Sequence, residues 1–571
     1  MSEKKGMPNH VKYRPGYFMP PEKSTSWVDR EYMDKAPRWC SVDLRDGNQA
    51  LIVPMSLDEK VEFFQFLCEI GFKEIEVGFP AASETEYTFL RTLIENNLIP
   101  DDVTIQVLTQ SREHIIAKTF ASLEGVKNAV VHLYNSTSVA QRNQVFRASK
   151  DEVKKIATDG AVLVKEYADS FPGDTHFTFE YSPESFTGTE IDYALEVCNA
   201  VIDIWKPSAE RETIINLPAT VEMSMPHVYA QQIEYMSKNL HCREHVSLSL
   251  HPHNDRGTAV AACELGMLAG GDRVEGTLFG NGERTGNVDI VTVAMNLFSH
   301  GVDPELDFSD MPKVAAAYEK FNDLKVNPRQ PYGGSLVFAA FSGSHQDAIA
   351  KGMHYKEDNN QPYWDCPYLL IDPHDVGREY EADVIRINSQ SGKGGVAYVL
   401  ETNYGYDIPK KMREEIGYLM KHISDEGHRE LTPSEIHLIF TKEYINRKDK
   451  FTIDDATFVK LPKSSSLGDN GMEATVDVII KGETFKLKGK GNGRLDAVMN
   501  ALRQGPYRLD YEFVTYHEHA LESESNSRAA SYVAIAKDSK LYWGVGVHND
   551  IIYASLNALS CAINRALTEE E

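Results

Sequence analysis

The stretch Val246-Ser247-Leu248-Ser249-Leu250-His251-Pro252-His253-Asn254-Asp255-Arg256-Gly257 sets an apolar alternation ahead of two histidines, and an Ala-rich helical pattern over Thr258–Gly270 follows it. Residues i and i+2 of an extended segment share a face, so at a strand end His251 and His253 can aim two imidazoles at one point. Such a pair suits a divalent metal. The competing reading is a polar turn before a helix, with Asp255 as the N-cap. Whether other strand ends carry matching chemistry decides between them.

The same strand-then-helix order recurs from Arg38 onward. Short apolar runs suited to buried parallel strands occupy Trp39–Leu44, Glu74–Val77, Thr104–Leu108, Ala129–Leu133, His176–Glu180, Thr213–Asn216, Val246–Leu250 and Arg273–Leu278. Helical patterns lie between and after them, among them Leu57–Ile70, Ser83–Asn96, Lys150–Ser170, Thr189–Trp205, Pro226–Leu240 and Gly286–His300. Eight such units over about 260 residues match an α/β fold of the (β/α)8 TIM-barrel type, with a doubly wound sheet as runner-up.

A barrel gathers its chemistry at the C-terminal ends of its strands. Here those ends include Asp43-Leu44-Arg45-Asp46-Gly47-Asn48-Gln49, His132-Leu133-Tyr134-Asn135, Glu180-Tyr181-Ser182-Pro183-Glu184 and Asn216-Leu217-Pro218-Ala219-Thr220. The eighth runs into Gly280-Asn281-Gly282-Glu283-Arg284-Thr285-Gly286-Asn287. Asp46, His251, His253 and Asn287 then offer a carboxylate, two imidazoles and an amide oxygen, without the thiolates of a structural zinc site. On a six-coordinate ion this set leaves room for a bidentate 2-oxo acid, whose oxygens the planar fork of Arg45 matches. The plainer readings are a turn in which Asp46 caps Gly47 and Asn48, and a surface ion pair for Arg45.

At 571 residues, two to four domains are expected. No run of 18 apolar residues occurs and Met1–Gly6 lacks the apolar core of a signal peptide, so neither a membrane span nor a leader is expected. Seven scattered cysteines without a Cys-x-x-Cys read as reduced thiols of a cytoplasmic protein. A net charge of −26 argues against nucleic-acid partners, though a metal and a few arginines still allow an anionic substrate. Four regions emerge: an extended N-terminal arm (1–36), the barrel (37–304), mainly helical linker subdomains (305–425) and a C-terminal α+β domain (426–571). The linker carries Asn327–Gly334, Phe341–Asp347, Pro367–Pro373 and Asn388–Gly395 between its helices. In the last domain a hairpin, Ala474–Ile480 with Thr484–Lys490, precedes a helix at Arg494–Gln504. Strands at Tyr511–Tyr516, Ala530–Ala536 and Tyr542–Val547 precede another at Ile551–Leu567, an arrangement of two pseudo-symmetric halves. Gly489-Lys490-Gly491-Asn492-Gly493 precedes the first of these helices, where backbone N–H groups can meet a carboxylate.

The segments Leu44–Gln49, His251–Gly257 and Gly280–Asn287 together resemble the 2-isopropylmalate synthases. Their superfamily also holds homocitrate synthase, citramalate synthase and hydroxymethylglutaryl-CoA lyase, and the likeness runs from about residue 36 to about residue 565. It implies a Claisen condensation of acetyl-CoA with 2-oxoisovalerate, giving 2-isopropylmalate and CoA in leucine biosynthesis. By that pattern Asp46, His251, His253 and Asn287 hold the metal, Arg45 polarises the keto oxygen and Glu184 supports a ligand or a water. Thr220 takes the substrate carboxylate, while Leu108, His132, Tyr134, Ser182, Asn216 and Pro218 shape the isopropyl pocket. His345, with Tyr368, resembles the general base; the alternative is that His345 caps the helix after it. The resemblance further implies a homodimer in which the linker of one subunit covers the barrel mouth of the other. It also implies feedback by leucine bound near Gly491, Asn492 and Gly493, where Asp496 departs from the small apolar residue that would suit a leucine side chain.

The metal stays open among Mg²⁺ or Mn²⁺, which are favoured, and Zn²⁺ or Co²⁺, with K⁺ as a further cofactor. Rival readings are a citramalate or homocitrate synthase, a carbon–carbon lyase or biotin-dependent carboxyltransferase on the same barrel, and a catalytically dead amino-acid sensor. No Met-Lys-Met biotin site occurs, and the intact ligand set argues against the sensor.

Overall fold

A computed structural model describes residues 7–340, 342–380, 393–427, 431–462, 467, 471–521, 527–538 and 540–569. Phe341 and 388–392 of the linker segments named above lie outside them, as does Met1–Gly6. Two compact units are present, Met1–Val337 with Ile371–Glu379, and Phe338–Leu370 with Tyr380–Glu571.

The first unit is a closed parallel barrel. Its strands are β1 (Arg38–Ser41), β2 (Glu74–Gly78), β3 (Thr104–Gln110), β4 (Asn128–Ser136), β5 (His176–Glu184), β6 (Thr213–Ala219), β7 (Val246–Pro252) and β8 (Arg273–Gly276). Pairing of Arg38 with Arg273 through Ser41 with Gly276 joins β1 to β8 and closes it. Around it stand α1 (Leu57–Ile70), α2 (Glu84–Glu95), α3 (Glu113–Ser122), α4 (Lys150–Asp169), α5 (Ile191–Trp205), α6 (Pro226–Asn239), α7 (Ala259–Leu268), α8 (Ile290–Ser299) and α9 (Met311–Asn322). Local chemistry sets several starts: Ser56 with Glu59, and Ser149 with Glu152, form reciprocal capping boxes ahead of α1 and α4. The N-terminal arm lies against α6, where Ser24 N–H donates to Gln231 (2.9 Å) and Ser24 Oγ to Glu234 (2.8 Å).

Among the expected boundaries that shift, three bear on the barrel mouth. β1 stops at Ser41 because Asp43–Gly47 closes into one helical turn, the N–H groups of Asp46 and Gly47 both donating to Val42 O at 2.8 and 3.1 Å. β8 stops at Gly276, and the expected helix from Gly286 begins only at Ile290. In between, Leu278–Gly280 makes a short 3-10 turn and only Asn287–Asp289 runs extended, with Val288 N–H donating to Pro252 O (2.9 Å) and Asn287 bridging His253. Asp255 does not cap α7; Asn254 Oδ1 accepts from Ala259 N–H (3.1 Å), and Asp255 pairs with Arg284 at 2.7 Å.

The second unit contains α10 (Gly343–Asn359), α11 (Lys393–Tyr404), α12 (Lys410–Gly427) and α13 (Pro433–Tyr444). An antiparallel sheet of β9 (Phe451–Lys460), β10 (Met472–Ile480) and β11 (Glu483–Gly491) carries α14 (Arg494–Gln504). A second, β12 (Glu512–Ala520), β13 (Ala529–Lys537) and β14 (Lys540–His548), carries α15 (Ile551–Glu569). The expected pseudo-symmetry is therefore three strands and a helix, stated twice, with β9 the strand that pattern reading passed over. Among the described residues no helix is long and apolar enough to cross a membrane.

Candidate active site

Asp46, His251 and His253 are buried and each brings a ligand atom within 4.8 Å of the others. Asn287 joins them, its Oδ1 3.0 Å from His251 Nε2, while Asp46 Oδ2 lies 3.1 Å from the same nitrogen. Burial favours a neutral His251 ring, yet hydrogen bonds to Asp46 and Glu275 lift its pKa to about 9. Burial, then repulsion from His251, lowers His253 to about 4. Burial works against the Asp46 charge, but the Arg45 guanidinium beside it prevails and holds the carboxyl well below its usual range. His253 Nδ1 is buried without a hydrogen-bond partner, a lone donor atom that a cation would satisfy. A mixed N/O set with one unsatisfied imidazole nitrogen fits a divalent ion.

Asp46 does not cap the turn, because Gly47 N–H donates to Val42 O and Asn48 N–H to Arg45 O and Asp43 O. Arg45 is no surface ion pair: its side chain is 13% exposed, bonded to Asp46 and, through Nε, to Glu76 at 2.5 Å.

Beneath this set lies a layer that pattern reading missed. Glu76, Glu180, Glu275, Arg273 and Gln106 are all fully buried inside the barrel. Glu275 accepts from His251 Nδ1 (2.7 Å), fixing which ring nitrogen faces Asp46 and Asn287. Arg273 bonds Glu275 (2.8 Å), Glu74 (2.6 Å), Ser249 (2.9 Å) and Gln106 (2.7 Å). The only signal was charge set inside short apolar runs, as in Glu74-Ile75-Glu76-Val77, Phe179-Glu180-Tyr181 and Arg273-Val274-Glu275.

A cavity of about 180 Å³ opens above the ligand set, walled by Leu108, His132, Tyr134, Ser182, Asn216 and Pro218. Arg45, Glu184 and Thr220 border it too, together with Gln49, Glu283 and Arg284, which were not singled out from sequence. Its small volume and its polar wall beside the candidate ligands suit a small organic acid. His132 Nδ1 donates to Glu76 (2.9 Å) and its Nε2 shares a 2.7 Å bond with Ser182 Oγ, which also accepts from Asn216 (3.0 Å). Thr220 Oγ accepts from Ser185 N–H at 2.9 Å, leaving its own hydrogen to donate. Glu184 accepts from Ser136 Oγ. A neighbouring cavity of about 780 Å³ shares Arg45, Gln49, Leu108 and Tyr134 with the first.

His345 and Tyr368 belong to the second unit, where their rings stack 4.0 Å apart. His345 stands inside the first turn of α10, whose N-cap is Ser342, so it does not cap that helix. Gly493 and Asn492 border a cavity of about 720 Å³ with Asp496, Tyr516 and Glu518. Gly491 does not border it: a Cβ there would lie 2.4 Å from Ala497 N, so this glycine lets strand and helix touch. Asp496 is not simply solvated, since its carboxylate accepts from Asn492 N–H at 2.8 Å.

Comparison with known proteins matches residues 36–317 to the HMGL-like family, 335–401 to the alpha-isopropylmalate synthase post-catalytic domain-like family and 430–567 to the LeuA allosteric (dimerisation) domain. A 2-isopropylmalate synthase from Desulfitobacterium hafniense (strain Y51) is 61% identical over 564 residues, covering 99% of this chain and 99% of its own. One from Helicobacter hepaticus is 60% identical over 563 residues, covering 98% of this chain and all of its own length. Among solved structures, hydroxymethylglutaryl-CoA lyase from Pseudomonas aeruginosa aligns with a TM-score of 0.41 at 19% identity, over 50% of this chain and 92% of that one.

Proposed function

The chain belongs to the 2-isopropylmalate synthase family, and from that membership we propose a division of labour among its residues. It is an acyltransferase that condenses acetyl-CoA with 2-oxoisovalerate and water to 2-isopropylmalate and CoA, committing carbon to leucine. Asp46, His251, His253 and Asn287 are the metal ligands; Mg²⁺ or Mn²⁺ is favoured, Zn²⁺ or Co²⁺ admissible, and K⁺ a further cofactor. When bound, the divalent ion supplies Lewis-acid polarisation of the substrate's keto group.

Every other part of the reaction falls to the side chains. Arg45, anchored by Glu76 and Asp46, donates to the keto or carboxylate oxygens as charge develops there. Thr220 turns its free hydroxyl hydrogen to the substrate carboxylate, and Glu184 orders a ligand or a water. Leu108, Tyr134 and Pro218 pack the isopropyl group, with His132, Ser182 and Asn216 as the polar wall. The 780 Å³ cavity takes the acyl donor, since its shared wall brings a thioester to the oxo acid. His345, steadied by its stack on Tyr368, takes the methyl proton; the resulting carbanion attacks C2, and water then cleaves the thioester. The protein works in the cytoplasm as a homodimer, and the cavity beside Gly493 receives leucine as inhibitor.

The observation that carries this reading is the pairing of a buried N/O ligand set with a cavity sized for an oxo acid directly above it. One or two methylenes in such a pocket change affinity by only about 1–3 kcal/mol, so selectivity must be measured. CoA release is followed with 2-oxoisovalerate, pyruvate and 2-oxoglutarate; 2-oxoisovalerate gives the highest kcat/KM, and a preference for pyruvate overturns the assignment.

A further inference from the structure

The loop after β8 holds Arg284 in a backbone conformation that its residue type rarely takes. Its φ is 59°, and it is the second residue of a turn in which Gly286 N–H donates to Glu283 O at 2.9 Å. At that position of a turn a positive φ normally falls to glycine, asparagine or aspartate, which tolerate it best. Strain of this kind persists only where the surroundings fix the residue. The side chain supplies that fixing. Nε donates to Asp255 Oδ1 (2.7 Å), and Nη2 donates to Asp255 Oδ2 (3.2 Å) and to the backbone carbonyl of Thr220. Asp255 Oδ2 accepts in turn from Glu222 N–H (3.0 Å), so one ion pair braces the loops after β6, β7 and β8.

The brace uses two of the three guanidinium nitrogens. Nη1 makes no hydrogen bond among the described residues, yet Arg284 borders the cavity of about 180 Å³ together with Thr220 and His253. The adjacent Glu283 does not engage it, being bonded instead to Gln49 at 2.8 Å. Bracing alone leaves that nitrogen without a task. An anionic ligand gives it one, because the bond from Nη2 to the Thr220 carbonyl sets the guanidinium against the residue that takes the substrate carboxylate. A carboxylate presents about four acceptor sites, and one hydroxyl fills only one of them.

We propose that Arg284 binds the carboxylate of the 2-oxo acid through Nη1, beside the Thr220 hydroxyl, and that Asp255 positions it to do so. This rests on the reading of the cavity as the oxo-acid site. A guanidinium bonded to a carboxylate makes a strong, charge-assisted contact, and its planar fork lets one side chain serve Asp255, the Thr220 carbonyl and the ligand from one place. Arg284 thereby recognises the acid group that every 2-oxo acid carries, not the isopropyl group. Asp255 meets the ligand only through Arg284 and is a positioning residue.

Titration calorimetry of 2-oxoisovalerate into the Mn²⁺-loaded full-length protein, without acetyl-CoA, tests the contact. Arg284→Gln is expected to weaken the oxo acid about 10–100-fold, the range of a charge-assisted hydrogen bond, while Mn²⁺ binds within about threefold of the parent. Unchanged oxo-acid affinity, or a matching loss of Mn²⁺ affinity, overturns the proposal. A Thr220→Val background separates contact from bracing. There Arg284→Gln still costs a similar factor if it touches the ligand, and costs nothing more if it only holds the Thr220 loop, which overturns the contact. Asp255→Asn keeps an oxygen for Glu222 N–H; it is expected to weaken the oxo acid in the parent and to be silent in Arg284→Gln, and an additive loss overturns its positioning role. Should Arg284→Gln fail to fold, Arg284→Lys takes its place. Its one nitrogen cannot serve all three partners, so a loss of at least about tenfold is expected, and undiminished affinity overturns the proposal. A parent that binds no 2-oxoisovalerate refutes the oxo-acid reading itself, whereas a Thr220→Val protein of unchanged affinity removes Thr220 alone and leaves the Arg284 result standing.

Discussion

His253 carries the sharpest test of the ligand set because it has so little else to do. Its Nδ1 is buried without a partner and it lines the cavity, so replacing it removes a donor atom without stripping a hydrogen-bond network. His253→Ala is expected to lower Mn²⁺ affinity at least about 100-fold, beyond the 10–100-fold typical of groups that only orient a ligand. Calorimetric titration of chelator-stripped protein measures it, and retained affinity would remove His253 from the set. At this scale the sequence was most legible where chemistry sits at a strand end. Asp46, His251, His253 and Asn287 stand in turn-rich motifs where polar residues have no packing reason to be. Glu76, Glu180 and Glu275 were opaque for the opposite reason. Each is a charge set in a short apolar run, and only barrel closure reveals that β2, β5 and β8 point them at one interior.

Among the elements, the two halves of the C-terminal domain repeat a packing device as well as a topology. A Cβ at Gly489 or Gly491 on β11 would lie 2.3 to 2.4 Å from backbone atoms of Ala501 and Ala497 on α14. At Gly544 and Gly546 on β14 it would lie 2.2 and 1.8 Å from the carbonyls of Ala558 and Ala554 on α15. Gly-x-Gly facing Ala-rich helix lets strand and helix backbones touch, so these glycines serve contact rather than turning. Gly546→Val is expected to destabilise the domain by about 1–3 kcal/mol through overpacking, read as a lower urea midpoint. Gly493→Val is the comparison: its φ of −174° suits any residue and nothing lies within 4 Å of the added Cβ, so it loses only the preference of glycine over valine at the N-cap of α14 and its midpoint falls less than that of Gly546→Val. The helices and inner strands of this domain were legible from their alternation, as Ala474–Ile480 shows. β9 was not, because Asp454-Asp455 interrupts its pattern and, as an edge strand of β11-β10-β9, it buries mainly its Phe451–Ile453 end.

For the whole molecule the open question is whether an effector in one unit governs chemistry in the other. The candidate ligand set belongs to the barrel unit, whereas the cavity beside Gly493 belongs to the second. That cavity offers the N-terminal end of α14 for a carboxylate, the acidic Asp496 and Glu518 for an ammonium, and Ile552 and Leu556 for an apolar side chain. The combination, with Arg494 on the same wall, suits an amino acid with an apolar side chain. Coupling between distinct sites is typically worth about 1–3 kcal/mol, or 5–150-fold in affinity. Leucine is therefore expected to inhibit CoA release by the full-length protein. Gly493→Val, which fills the cavity without strain, should raise the half-inhibiting concentration at least about tenfold while leaving the uninhibited rate within twofold. Steady-state assays across a leucine series decide it. An unresponsive parent refutes leucine as the effector, and an unshifted Gly493→Val response moves the effector to another place in the second unit. If leucine acts by weakening 2-oxoisovalerate binding, reciprocity requires saturating 2-oxoisovalerate to weaken leucine by the same factor, which a calorimetric titration of the parent measures without any variant.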